Sequence, residues 1–166
     1  NDFSPICTTE IIGLAKADTY FKKINTELIG ISVDSLNSHL AWLYDIYLKT
    51  GLIVNFPIIA DQNGVIARKY GMISNDVSST ETVRNIFIID DKGIIRSIFV
   101  YPMNIGRYIP EILRTVTALQ YSDQNNCMTP ANWSPGNPMI VPPPKTFNAL
   151  RERNESINKN RNGMCW

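Results

Sequence analysis

Cysteine, histidine and excess charge are all scarce in these 166 residues. The three cysteines, Cys7, Cys127 and Cys165, are an odd number without metal-ligand spacing, which argues against a disulfide scaffold and against a zinc site. An intracellular reducing compartment fits this usage, and a cytoplasmic location is expected. Sixteen basic residues against 15 acidic ones leave a net charge of +1, so there is no electrostatic case for a nucleic-acid or membrane partner. No apolar run approaches the ~20 residues that a membrane span requires, and no signal-peptide pattern opens the chain. The single histidine, His39, is expected to pack with Trp42 and receives no catalytic role. Hydrophobic residues at 44% and charged residues at 19% describe a globular protein with a substantial core.

Among what is present, Cys7 stands out. It lies in Asp2-Phe3-Ser4-Pro5-Ile6-Cys7-Thr8-Thr9-Glu10, directly before an apolar helical pattern, which places a thiol at a helix N-terminus. Unpaired backbone N–H groups and the positive end of the helix dipole favour an anion there, so thiolate gains on thiol. Position alone leaves two readings, a small buried hydrophobe or a reactive sulfur. Cys127, in the polar connector Gln124-Asn125-Asn126-Cys127, is read as incidental.

Residues Ile11, Ile12, Leu14, Ala15 and Ala17 to Phe21 form one apolar stripe of an amphipathic helix. Leu28 to Val33 reads as a buried strand. Asp34 or Ser35 caps a second helix that runs through Leu48 and stops at Lys49-Thr50-Gly51. Phe56 to Ala60 follows as a short strand, Asn63 to Tyr70 as a helix and Arg84 to Ile89 as a strand. A turn at Asp91-Lys92-Gly93 leads into a hairpin partner, Ile94 to Tyr101, and helix signals return from Gly106 to Leu119. This order suits a thioredoxin-like α/β fold, a mixed sheet between helices. The reactive helix of that fold follows a central strand, and only six residues precede Cys7. The chain is therefore expected to lack the N-terminal strands, leaving the sheet split.

Beyond Tyr121 the texture changes. Six of the ten prolines fall between Pro130 and Pro144, so this stretch should run extended over a surface. Residues 145–162, rich in Lys, Arg, Glu and Asn, suit a solvated helix. Two domains are expected, 1–121 and 122–166.

The segment Phe3 to Glu10 resembles the active-site segment of peroxiredoxins, whose signature runs proline, three residues, threonine or serine, two residues, cysteine. Ser4 fills the hydroxyl position, and the proline would fall immediately before Asn1. Further similar segments cover nearly the whole chain: Asp34-Ser35, Ser38 to Trp42, Phe56 to Asp61, Thr82 to Asp90, Tyr101-Pro102 with Gly106-Arg107, and Glu111 to Arg114. Thr129 to Trp133 and Val141 to Pro144 resemble the one-cysteine branch with its extended C-terminal domain.

The resemblance implies a thiol peroxidase that reduces hydrogen peroxide and organic hydroperoxides without metal, flavin or haem. Cys7 would be the nucleophile and Ser4 its neighbouring hydroxyl. Arg84 would hold the thiolate and the peroxide, Arg107 would support the pocket, and Glu10 could pair with either arginine or stand exposed in the first turn. Cys165 resembles a C-terminal cysteine that resolves the sulfenic acid in some relatives, and is the candidate resolving thiol. A thiol reductant such as thioredoxin or glutathione would complete the cycle, in a homodimer or a higher ring. The alternatives are a thioredoxin-like disulfide oxidoreductase, disfavoured because Cys7 has no partner in a C-x-x-C pair, and a non-catalytic chaperone or interaction role.

Overall fold

The computed structural model describes residues 1–73 and 83–159. Cys165, Thr82 and the end of the predicted C-terminal helix lie outside them. The chain divides into two compact units, the first running from Asn1 to Pro110 and the second from Glu111 onward.

The first unit opens with helix α1, Pro5–Lys23. Proline suits this start because its missing N–H would have no intrahelical partner in the first turn. Lys22 and Lys23 in the last turn complement the negative end of the dipole. Phe21 is the apolar anchor of the buried face, which also carries Glu10 and Asp18. Strand β1, Gly30–Ser32, pairs in parallel with β2, Ile58–Ala60. Between them runs α2, Leu36–Thr50. The Ser35 hydroxyl accepts the Ser38 N–H at 3.1 Å at its start, and Gly51 closes it in the left-handed conformation at φ 70°. Its buried residues, His39, Trp42 and Ile46, fall at helical spacing on one face.

Helix α3, Val65–Lys69, begins later than the expected Asn63 because Gly64 adopts the left-handed conformation at φ 63°. Its start is held by the buried Asp61 carboxylate, which accepts the Ala67 N–H at 2.7 Å. Strands β3, Arg84–Ile89, and β4, Ile95–Tyr101, form an antiparallel hairpin with Arg84 opposite Tyr101. Asp90 accepts the N–H groups of Lys92 and Ile94 across the turn. Among the described residues the strands form two separate two-stranded ladders, the split that the order of elements implied. β1 is half-buried rather than buried, and Ile29 before it is exposed.

Helix α4, Ile109–Asn125, leads into the second unit. There Trp133, 1% exposed, is the anchor: its indole N–H donates to the Asn137 carbonyl at 3.0 Å, and its carbonyl accepts from Arg114 at 3.0 Å. The proline-rich stretch does not run extended as expected: it turns at Ala131-Asn132 and again at Pro135-Gly136, both with a residue at positive φ, and doubles back to a Met128–Ile140 bridge before α5, Phe147–Lys159. Among the described residues no helix is long and apolar enough to cross a membrane.

Candidate active site

Ser4 occupies the N-cap position of α1 in an extended conformation, yet its hydroxyl caps no N–H of the first turn. It turns to the Cys7 sulfur instead. Cys7 is the third residue of the helix and half-buried, so its Sγ sits among N–H groups that lack intrahelical partners. One turn further along, Glu10 is buried, where an exposed first-turn glutamate would have been equally unremarkable.

Two guanidiniums converge on that carboxylate. Arg84, buried at the start of β3, donates from Nη1 to Glu10 Oε2 at 2.6 Å and lies 3.5 Å from Cys7 Sγ. Its Nη2 donates to the Met103 carbonyl at 3.1 Å. Arg107, in the loop after β4, donates from Nη1 to Glu10 Oε2 at 2.9 Å and from Nη2 to the Asn85 carbonyl at 3.2 Å. Its backbone N–H also binds Glu10 Oε1, at 2.8 Å. α4 begins at Ile109 and not at Gly106, because Pro110 fits the first turn of a helix but, in a helix begun at Gly106, would clash with the Gly106 carbonyl.

The charges decide the state of the sulfur. Two guanidiniums facing one carboxylate leave an excess positive charge in a low-dielectric site, and a thiolate on Cys7 neutralises it. Burial pushes the Cys7 thiol up, hydrogen bonds from the Ser4 hydroxyl and the Arg84 guanidinium pull it down, and the thiol lies below its ordinary value. Burial likewise lowers Arg107, against the attraction of Glu10.

Ser4, Cys7, Arg84 and Arg107 are thus brought together, with Glu10 as the link between the arginines. Cys165 lies outside the described residues. Cys127 sits in the second unit, its sulfur 3.3 Å from the Asn125 carbonyl. His39 and Trp42 both lie on the buried face of α2; the His39 ring also hydrogen-bonds the Asp2 carboxylate, and the Trp42 indole N–H donates to Thr8 Oγ1 at 3.0 Å. The carbonyls of Met103 and Asn85 have no sequence signal, since any residue type carries one.

The AhpC/TSA family model matches residues 1–98, and that of the C-terminal domain of 1-Cys peroxiredoxin matches 118–156. Peroxiredoxin 2 of Caldanaerobacter subterraneus subsp. tengcongensis is 52% identical over 156 residues, covering 94% of this chain and 71% of the relative. The peroxiredoxin of Aquifex aeolicus is 49% identical, covering 88% and 70%. Among solved structures, the yeast mitochondrial 1-Cys peroxiredoxin superposes with a TM-score of 0.80 at 37% identity, covering 91% of this chain and 74% of its own. A cysteine-to-serine mutant of peroxiredoxin 6 of Arenicola marina gives 0.81 at 33%, covering 92% and 72%. A thiol held by arginine at a helix start, on a thioredoxin-like α/β frame with this C-terminal extension, belongs to the AhpC/TSA family: the chain is a one-cysteine-type peroxiredoxin, a thiol-dependent peroxidase.

Proposed function

We propose that Cys7 is the peroxidatic nucleophile. Its thiolate attacks one oxygen of hydrogen peroxide or an organic hydroperoxide. The S–O bond forms from the sulfur lone pair as the O–O bond breaks, and the distal oxygen leaves as hydroxide or alkoxide and takes a proton from water. Sulfur is oxidised by two electrons to a sulfenic acid, and the peroxide is reduced to water or alcohol. Arg84 acts in the transition state: its Nη1 already lies at the sulfur, where a donor is positioned to meet the charge that develops on the departing oxygen. Ser4 orients the sulfur and the incoming peroxide. Arg107 positions Arg84 through their shared Glu10 carboxylate.

A thiol then attacks the sulfenic acid, releasing water and leaving a disulfide that a second thiol reduces. The structure of the yeast relative is described as explaining thiol resolution through glutathione and thioredoxin systems, which supports reductants of that class here. Cys165 is the candidate for an internal resolving thiol on sequence grounds. Trapping a Cys7–Cys165 disulfide between subunits after one equivalent of peroxide tests that role, and recovery of only sulfenic or mixed-thiol species excludes it. We assign residues 1–121 to the peroxidase domain and 122–166 to the C-terminal domain, and expect a cytoplasmic homodimer or a ring built from it.

The observation that carries this reading is the 3.5 Å approach of Arg84 to Cys7 Sγ, at a thiol held below its ordinary pKa. Peroxide consumption with an added thiol tests it. Activity should vanish in Cys7→Ser and persist in Cys127→Ser, and consumption that survives loss of Cys7 refutes the assignment.

A further inference from the structure

A second buried polar cluster lies next to the reactive segment and takes no part in the chemistry above. His39, on the buried face of α2, places Nδ1 2.8 and 2.9 Å from the two oxygens of the Asp2 carboxylate, and both side chains are only 2% exposed. The other ring nitrogen, Nε2, is buried and has no hydrogen-bond partner among the described residues, and Nδ1 carries the hydrogen that the Asp2 carboxylate accepts. Asp2 is anchored a second time: its N–H donates to the Asp34 carboxylate at 3.1 Å, which also accepts the Ser32 hydroxyl at 2.8 Å.

Immediately after this anchor the backbone does something costly. Phe3 adopts the left-handed conformation at φ 57°, one that a residue with a Cβ disfavours and that persists only where its surroundings over-determine it. The turn swings the chain from Asp2 into Ser4 and the start of α1. Three residues along α2 from His39, Trp42 grips the other side of the segment through Thr8, whose hydroxyl also donates to the Ser4 carbonyl at 2.8 Å. Asp2 and Thr8 therefore flank Ser4 and Cys7, and both are held by α2.

We propose that His39 is a positioning residue for Cys7: its hydrogen bond to Asp2 holds the left-handed turn at Phe3, and so sets the direction in which Ser4 and the first helical turn present the sulfur to Arg84. The proposal rests on Cys7 being the reactive thiol. A pair that served folding alone would affect melting and leave the ionisation of Cys7 as it is. A positioning pair must move both the ionisation and the rate, because a shift of the sulfur by a fraction of an ångström weakens its contacts with Ser4 and Arg84.

The test uses a background in which Cys127 and Cys165 are serine, so that alkylation by iodoacetamide reports Cys7 alone. His39→Leu should raise the midpoint of the pH dependence of alkylation towards that of an ordinary thiol, and lower the rate constant with hydrogen peroxide by roughly tenfold to a hundredfold. His39→Asn, whose amide nitrogen can stand where Nδ1 stands, should restore most of both. Asp2→Ala, which removes the acceptor and leaves α2 unaltered, gives the same reading should His39→Leu not fold. An unchanged alkylation midpoint in folded His39→Leu or Asp2→Ala overturns the proposal. Absence of peroxide consumption by the unsubstituted protein would instead overturn the peroxidase roles, and the alkylation midpoint would still decide the role of His39.

Discussion

Glu10 and Arg84, 74 residues apart in the chain, meet at 2.6 Å with only 4% of either side chain exposed. A contact so short and so dry carries its energy in completeness. Glu10 also serves Arg107, which is partly exposed, and each guanidinium finishes on a backbone carbonyl, so one carboxylate ties both arginines into a single hydrogen-bonded network.

Removing the shared carboxylate should therefore cost more than one ion pair. Glu10→Gln leaves two guanidiniums without the carboxylate that joins them, and the unfolding free energy should fall by about 3–5 kcal/mol. Urea denaturation reads this as an earlier midpoint at unchanged slope. A midpoint equal to that of the unsubstituted protein would mean that the network contributes nothing to stability.

Arg84→Lys keeps the charge and loses the fork. A single ammonium cannot hold Cys7, Glu10 and the Met103 carbonyl in their present directions. The specificity constant for hydrogen peroxide should drop roughly 10²- to 10³-fold, the usual loss for a transition-state donor. Arg107→Lys, which removes no contact with sulfur, should lose less. Equal losses would place both arginines in the same role.

Activity should rise with pH and level off, because the thiolate reacts and the thiol does not. The midpoint should lie below the ~8.5 of a free cysteine, since hydrogen bonds from Ser4 and Arg84 favour the anion against burial. Ser4→Ala should move that midpoint up, and stopped-flow peroxide reduction across pH measures it. The same ionisation couples to folding. A folded-state pKa below the unfolded one contributes stability that is complete above the unfolded value and disappears as pH falls through the folded value. Cys7→Ser should abolish that contribution.

In the second unit, Trp133→Ala removes the most buried large side chain, its indole hydrogen bond to Asn137 and its packing against Tyr121 at a ring separation of 5.8 Å. A loss of about 3–5 kcal/mol is expected, measured by thermal unfolding. Little change in melting would show that this unit contributes almost nothing to the measured transition.

Elements closed by local hydrogen bonds were legible from residue order. α2 begins at its Ser35 cap and ends at a left-handed Gly51. β3 spans Arg84–Ile89 as read, and Gly93 at φ 76° turns the hairpin. Elements whose extent depends on a distant partner were less so. β1 keeps three paired residues because β2 offers three, Ile58 to Ala60, after Pro57.

The active-site residues divide in the same way. Cys7 at a helix start, with Ser4 three residues before it, can be seen in a string of letters because capping and dipole effects act within one turn. Residue order left Glu10 open between a paired and an exposed side chain, and it assigned His39 to Trp42. Folding joined Glu10 to two arginines 74 and 97 residues away, and His39 to an aspartate 37 residues away. Such pairings depend on which charged groups lose their water together, and that is settled only when the chain closes on itself.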